Sequence, residues 1–294
     1  MKTTRSVPYV MLAPFVLLFF GFFLYPFFYA FYLSLFASRM GHSHFVGLSN
    51  YVLALKDGSF WHSIETVAKY GILQLFTMLL LALILALLLD SPIVKGKATF
   101  RLLYFLPYAV PAVIAALMWG FLYAPQLDPL LNVLTIFNHG KPVDALSPGN
   151  LLYSIVNIVV WEWTGYNMTL YFAGLTSLPL EIYDAAKIDG CTEIQTALRI
   201  KLPLLRPVII FTWILSIIGA FQLFNEPFIL SSITTVPSDY TPNMYIYNMA
   251  FAYNNFNYSA TLSFFLAFVT LVASLVFLYF TSGEQRRERR LNKS

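Results

Sequence analysis

The chain has 294 residues, of which 59% are hydrophobic and only 11% are charged. This charged fraction is less than half of the roughly 25% that is usual for soluble domains, so the composition excludes an ordinary soluble protein and favours a chain embedded in lipid. The net charge is +4, and the single cysteine, Cys191, excludes an internal disulfide.

Six apolar runs follow one another along the chain, each long enough to cross a bilayer as a helix of about 20 residues. The runs are apolar all round rather than striped, which argues against a large soluble helical core. The first run is too long for a cleaved signal peptide, and no small-residue cleavage site follows it. We therefore predict an all-α, polytopic integral membrane protein with six transmembrane helices, at about residues 8–37, 63–89, 99–124, 150–176, 204–230 and 259–281.

The distribution of basic residues predicts the orientation of these helices. If the N-terminus is cytoplasmic, most of the 18 Lys and Arg residues fall in segments on the cytoplasmic side, as the positive-inside rule requires. Both termini and the polar loop at 177–203 are then cytoplasmic. The basic C-terminal tail is expected to contact anionic lipid headgroups, and no nucleic-acid partner is expected.

The fourth run carries an acidic residue, Glu162, near its middle, with Trp163, Tyr166 and Asn167 close by. Ionisable side chains at bilayer depth usually face the protein interior or water. Aromatic faces beside hydrogen-bonding groups suit a sugar, so these four residues are candidates for lining a substrate path. The alternative is a structural role for Glu162, in a hydrogen bond between helices or a buried pair with Lys69.

The polar loop at 177–203 predicts two short helices. Pro179 suits a helix start, Gly190 suits a helix end, and Thr192 with Gln195 forms a capping box that would begin the second helix. Leu202-Pro203 is expected to close that second helix. The two alanines of the first helix give it a small, smooth face, which favours docking of another protein; the alternative is a helix pair on the membrane surface with no partner.

The fifth run contains a second polar cluster, Gln222, Asn225 and Glu226. Gln222 and Glu226 are four residues apart and would share a helix face, so this cluster is a further candidate for lining the path. Interhelical packing with a kink at Pro227 is the alternative. Gln74, in the second run, is expected to join helices by hydrogen bonding.

One motif in the loop resembles a known family. Asp184-Ala185-Ala186, with Gly190 and then Ile200-x-Leu202-Pro203, resembles the EAA loop of binding-protein-dependent ABC importer permeases, with Asp184 where Glu is usual. The surrounding run L-P-x-E-I-Y-D-A-A-x-I-D-G is similar to the sugar permeases of the maltose and glycerol-phosphate type. Segments 45–51, 101–107 and 245–251 extend this similarity over most of the chain.

The resemblance implies a single transmembrane permease domain over residues 1–294, in the cell membrane, that imports a sugar or oligosaccharide. It also implies partners: cytoplasmic ABC ATPase subunits, a second homologous permease subunit and an extracytoplasmic solute-binding protein that delivers the sugar. No Walker A sequence occurs, so ATP is expected to bind to the partner, and we expect neither an enzyme activity, a cofactor nor a metal in this chain. The residues that the resemblance assigns to ATPase docking are Glu181, Asp184, Ala185, Ala186, Gly190, Ile200, Leu202 and Pro203.

Two other functions stay open at this point. One is an ABC importer for glycerol-phosphate or a polyol. The other is an ion-coupled secondary transporter with Glu162 and Glu226 as proton or cation sites, although such a protein has no need of an EAA-like loop.

Overall fold

The computed structural model describes residues 7–39, 42–123 and 144–291. Within these ranges the chain is predominantly helical, as predicted. We number the helices in chain order as α1 (Val7–Phe19), α2 (Tyr25–Ser34), α3 (Ser49–Leu55), α4 (Gly58–Asp90), α5 (Lys97–Phe105), α6 (Ala112–Leu122), α7 (Leu151–Thr176), α8 (Leu180–Ile188), α9 (Glu193–Thr196), α10 (Leu202–Phe221), α11 (Asn225–Leu230), α12 (Pro242–Phe251) and α13 (Phe256–Leu291).

In the part of the chain that the structure describes, four helical stretches are long and apolar enough to cross a membrane: Tyr9–Ser34, Gly58–Asp90, Glu193–Leu230 and Phe256–Thr281. The bent pair Lys97–Ala109 and Ala112–Leu122 makes a fifth if it counts as one span. Helix α7 has 26 residues but is too polar to join this set. The six spans and their orientation therefore stay predictions. Residues 1–6 and 292–294 at the termini, and residue 124 at the predicted end of the third span, lie outside the described ranges.

The first predicted span is a helix with little support from the rest of the chain. Helices α1 and α2 are joined by a π-helical turn at Phe20–Leu24, and none of the most apolar window of this stretch is buried. Its second helix, α2, contacts α13, where the rings of Phe27 and Phe31 lie 5.2 and 5.5 Å from that of Phe264. Its exposed apolar surface is what a lipid-facing helix presents.

A short antiparallel hairpin follows α2 and departs from the predicted all-α class. Strand β1 (Phe36–Arg39) pairs with β2 (His42–Phe45), with Phe36 opposite Phe45. The sequence shows no strand alternation long enough to predict this hairpin.

Helices α4 and α7 form the centre of the bundle. Met78 on α4, with Met168, Tyr171 and Leu175 on α7, belongs to one cluster of fully buried apolar side chains. Tyr171 also shares a hydrogen bond of 2.7 Å with Thr212 of α10. Because neighbouring helices bury one face of α7, that face tolerates polar residues that a lipid-facing surface would not.

The third predicted run is not a straight helix. α5 continues into a 3₁₀ turn at Leu106–Ala109, and the chain then bends by 92° into α6. Val110, at the bend, is extended, because the residue before a proline is pushed out of the helical region and Pro111 follows it. A proline inside a helical run usually kinks the helix, but the bend here is far sharper than a kink.

The prediction that Leu202-Pro203 closes the second loop helix is wrong. A π-helical turn at Ala197–Lys201 joins α9 directly to α10, and the amide of Leu202 donates to the carbonyl of Ala197, five residues back. The wider turn accommodates Pro203, which has no amide hydrogen, so the helix continues instead of ending.

The helix that begins with α10 is interrupted within the second polar cluster. It ends at Phe221, the backbone of Phe224 leaves the helical region, and α11 begins at Asn225. Pro227 cannot donate to the carbonyl of Leu223, which explains a break at this position. The cluster therefore straddles a break and does not lie on one helix face as predicted.

Candidate functional site

A cavity of about 420 Å³ lies between α4, α7, α10 and α11. It brings together the two polar clusters that the sequence places about 60 residues apart. All seven residues predicted to line a substrate path contribute to its wall: Glu162, Trp163, Tyr166, Asn167, Gln222, Asn225 and Glu226.

Two carboxylates lie in this wall. Glu162 is 4% exposed and Glu226 is 7% exposed, and no described residue donates a hydrogen bond to the buried Oε2 of Glu162. The suggested pair between Glu162 and Lys69 is wrong, because Lys69 Nζ lies 2.7 Å from Oε1 of Glu65, its neighbour on the exposed face of α4. Glu162 is thus a buried acceptor facing the cavity, a costly arrangement unless a ligand or water completes it.

The amide side chains of the wall add to this acceptor character. Gln74 Nε2 donates to Met78 Sδ at 3.1 Å, within its own helix, and Asn167 Nδ2 donates to the carbonyl of Trp163 at 3.0 Å. Gln74 Oε1 is buried and receives no hydrogen bond from any described residue. The prediction that Gln74 joins helices is therefore wrong, and its free oxygen lines the cavity instead.

Aromatic rings form one side of the cavity. Trp163 and Tyr166 pack edge to face with centroids 5.7 Å apart. Tyr108 stacks on Tyr166 at 4.7 Å and meets Trp163 at 5.1 Å. Tyr108 is not in the cavity lining itself but packs against both of these rings. The sequence reasoning missed it, since it lies in the 3₁₀ turn at the sharp bend, far along the chain from α7.

A glycine of α7 allows this bend to come close. A Cβ atom at Gly165 would overlap the backbone carbonyl of Tyr104. Because Gly165 has no side chain, the end of α5 crosses α7 at backbone contact, and Tyr108 reaches the ring of Tyr166.

Three polar lining residues were also missed: Tyr70, Thr212 and Ser216. Tyr70 precedes Gln74 by four residues on α4, so the two share a helix face, and that spacing could have pointed to both. The cavity lining contains no Lys or Arg. In the described ranges no group of three or more His, Cys, Asp or Glu side chains could hold a metal ion.

The polar loop forms the second candidate site. Helix α8 starts after Pro179, and Gly190 takes a left-handed φ of +74° just beyond its end. Thr192 and Gln195 form the predicted capping box, with both reciprocal hydrogen bonds present. These three local predictions are confirmed.

The residues predicted to dock a partner divide between two faces of α8. Glu181, Asp184 and Ala185 are exposed, and Ile188 beside them is 86% exposed. Ala186 is only 3% exposed and packs against this chain. The loop thus offers a partner a face of mixed apolar and acidic character. Of the two alanines that were predicted to form a small, smooth docking face, only Ala185 is exposed on it. Gly190 and Pro203 are also exposed, while Ile200 and Leu202 are half-buried.

Comparison with known proteins gives a family match over most of the chain. Residues 78–289 match the family model described as binding-protein-dependent transport system inner membrane component. The chain is 34% identical to the lactose transport system permease protein LacF of Rhizobium radiobacter, over 95% of this chain and 94% of that protein. It is 32% identical to the arabinooligosaccharides transport system permease protein AraP of Bacillus subtilis, over 93% and 88%. It is 31% identical to the sn-glycerol-3-phosphate transport system permease protein UgpA of Salmonella typhimurium, over 96% of each chain.

The fold is also similar to that of a solved structure. A chain in the crystal structure of a bacterial ABC transporter involved in the import of the acidic polysaccharide alginate superposes with a TM-score of 0.80. The alignment covers 95% of this chain and 96% of that one at 22% sequence identity.

Proposed function

Because the chain belongs to the family of inner membrane components of binding-protein-dependent transport systems, we propose that it is a permease subunit of an ATP-driven importer for a neutral sugar or oligosaccharide. The observation that carries the sugar assignment is the cavity, whose wall combines aromatic rings with buried hydrogen-bond acceptors. Sugars present apolar C–H faces to rings and hydroxyl donors to acceptors.

The chemistry of the wall also favours a neutral substrate over glycerol-phosphate. Glu162 and Glu226 are both buried there, and none of the lining residues is Lys or Arg. An anionic group near two buried carboxylates would be repelled, while a hydroxyl would supply the donor that Glu162 Oε2 and Gln74 Oε1 lack. The glycerol-phosphate relative keeps that substrate as the second candidate.

The proposal includes other subunits. We propose that α8 docks on a cytoplasmic ATPase through Glu181, Asp184, Ala185 and Gly190, with Ile200, Leu202 and Pro203 continuing the motif into α10. A second permease subunit would complete the membrane part, and an extracytoplasmic binding protein would deliver the sugar. We also propose that α7 crosses the membrane and brings the number of spans to six. In chain order it is the fourth, and the helices around it would shield it from lipid. An ion-coupled transporter acting alone has no place in a binding-protein-dependent family.

Transport by the reconstituted complex tests this function. The permease, its partner permease, ATPase and binding protein, taken from the neighbouring genes, would be placed in liposomes with ATP inside. We expect uptake of a neutral probe such as lactose or an arabinooligosaccharide, with stimulated ATP hydrolysis, and no uptake of glycerol-3-phosphate. Glu162→Gln should lower sugar uptake by about tenfold, the equivalent of one charged hydrogen bond of roughly 1.4 kcal/mol.

Glu65→Gln is the matched control, because Glu65 lies on α4 with a side chain 61% exposed and outside the cavity lining. Its uptake should equal that of the wild type. Preferred uptake of glycerol-3-phosphate would overturn the neutral-sugar assignment, and ATP-independent uptake abolished by an uncoupler would overturn the importer assignment.

A further inference from the structure

A buried ion pair lies where the polar loop meets the membrane helices. Lys201 Nζ lies 2.7 Å from Asp90 Oδ2, and the two side chains are only 5% and 11% exposed. The other ion pair found among the described residues, Glu65–Lys69, has side chains 61% and 66% exposed. A buried pair is costly to assemble and costly to break, because removing one partner leaves the other charge without compensation.

A tyrosine of the loop helix joins this pair. The Lys201 ammonium lies 5.0 Å from the ring centroid of Tyr183 on α8, within the range of a cation–π contact. The Tyr183 hydroxyl donates to the carbonyl of Leu175 at the end of α7. Burial, followed by the nearby charge of Asp90, raises the pKa of Tyr183 to about 12, so Tyr183 stays neutral and Asp90 is the counterion of Lys201.

The cluster of Asp90, Tyr183 and Lys201 joins the ends of several elements at one point. Asp90 ends α4, and Lys201 ends the π-helical turn that leads into α10. The backbone carbonyl of Asp90 also accepts a hydrogen bond from Lys97 Nζ at 3.0 Å. This contact adds the start of α5 to the elements that meet here. The docking helix is therefore fixed at one point to the ends of four membrane elements.

Three of these elements, α4, α7 and α10, line the cavity. Along α4, Gln74 lies about 24 Å from Asp90 at 1.5 Å per residue, and along α10 the wall runs from Thr212 to the break beside Gln222. A displacement of α8 that carries Lys201 with it would pull Asp90 as well. The parts of α4 and α10 that line the cavity would then shift together.

Resting on the proposed function, we propose that the cluster of Asp90, Tyr183 and Lys201 is the positioning device that passes movement of the ATPase-docked helix α8 to α4 and α10. The outward face of α8, with Ala185 and Ile188, meets the ATPase. The inward face, with Tyr183 and the buried Ala186, holds the cluster. Neither Asp90 nor Lys201 touches the substrate cavity, so their effect on transport is indirect.

The test is the number of sugar molecules imported per ATP hydrolysed, measured in the reconstituted complex. Lys201→Met should keep ATP hydrolysis within about twofold of the wild type and lower the sugar-to-ATP ratio at least fivefold. The double variant Asp90→Asn/Lys201→Met buries no lone charge and should fold even if the single variant does not; it should show the same loss of coupling. Lys201→Arg keeps the charge and should retain at least half of the wild-type ratio.

Lys69→Met removes the cation of the exposed ion pair on α4 and is the matched control, with an unchanged ratio expected. A folded, membrane-inserted double variant that imports sugar at the wild-type ratio would overturn the inference and leave the cluster a purely structural one. If the wild-type complex shows no sugar-stimulated ATP hydrolysis, the proposed function fails instead, so the two failures are distinguishable.

Discussion

Gly165 is the single residue on which the aromatic wall of the cavity depends most directly. Tyr108 reaches Tyr166 because the backbone at Tyr104 passes over α7 where a side chain is missing. The sequence alone could predict that Glu162, Trp163, Tyr166 and Asn167 belong together, since they are neighbours in one helix. It could not predict the contact of Tyr108 with Tyr166 or the place of Tyr70 in the lining, because both depend on how separate helices pack.

Gly165→Ala should destabilise the protein by about 1–3 kcal/mol, the usual cost of overpacking a tight contact. The added methyl would meet backbone, which cannot rotate away as a side chain can. Thermal unfolding of the detergent-solubilised complex should show a lower Tm. Gly21→Ala is the control, because nothing lies within 4 Å of a Cβ at that helical position; a Tm as low for this variant would mean that the close approach at Gly165 is not the cause.

At the scale of the elements, local signals were predictable and junctions were not. Pro179, Gly190 and the capping box of Thr192 and Gln195 act within a few residues of themselves, so their prediction holds. The helix continues through Pro203 because a π-helical turn precedes it. The 92° bend before Pro111 fits against α7 because Gly165 leaves space for the backbone at Tyr104. Local motifs therefore fixed two helix starts and the end at Gly190, whereas packing decided whether the helix continued through Pro203.

The division of α8 into two faces leads to a test of docking. Ala185→Trp should prevent the ATPase from co-purifying with the permease, because a large side chain on the exposed face would block close approach, while the level of permease in the membrane stays unchanged. Enlarging Ala186 would instead disturb this chain's own packing, since Ala186 is 3% exposed.

Ala173→Trp serves as the control, on an exposed position of α7 outside the loop. Co-purification at the wild-type level with Ala185→Trp, in a correctly inserted permease, would show that the outward face of α8 does not carry the docking.

For the whole molecule, the apolar runs predicted where the long helices lie, and the number of six that cross the membrane stays a prediction. Helix α7, which the sequence predicts as the span at 150–176, is the clearest case: its length suits a span, but Asn157, Glu162 and Asn167 keep it out of the set of helices that are apolar enough to cross a membrane. Neighbouring helices cover Glu162 and Asn167, which are 4% and 3% exposed, and Asn157, which is exposed, donates a hydrogen bond to the Tyr123 hydroxyl. Hydropathy contains none of these contacts between helices.

The single cysteine offers a direct test of topology, since Cys191 lies in the polar loop and is half-buried. A membrane-impermeant maleimide should label the wild-type permease in inside-out vesicles and fail to label it in right-side-out vesicles. On a Cys191→Ser background, Thr235→Cys, an exposed residue after α11, should give the reverse pattern. Labelling of Cys191 from the outside would contradict the predicted orientation.

The π-helical turn at Ala197–Lys201 also sets an angle. Each residue advances an α-helix by about 100°, and a π-helical turn holds one residue more than an α-helical turn. A relative of this chain with one residue fewer in that turn would carry its polar loop rotated by about 100° around the axis of α10. The direction in which the loop faces is therefore encoded by a residue count inside a helix.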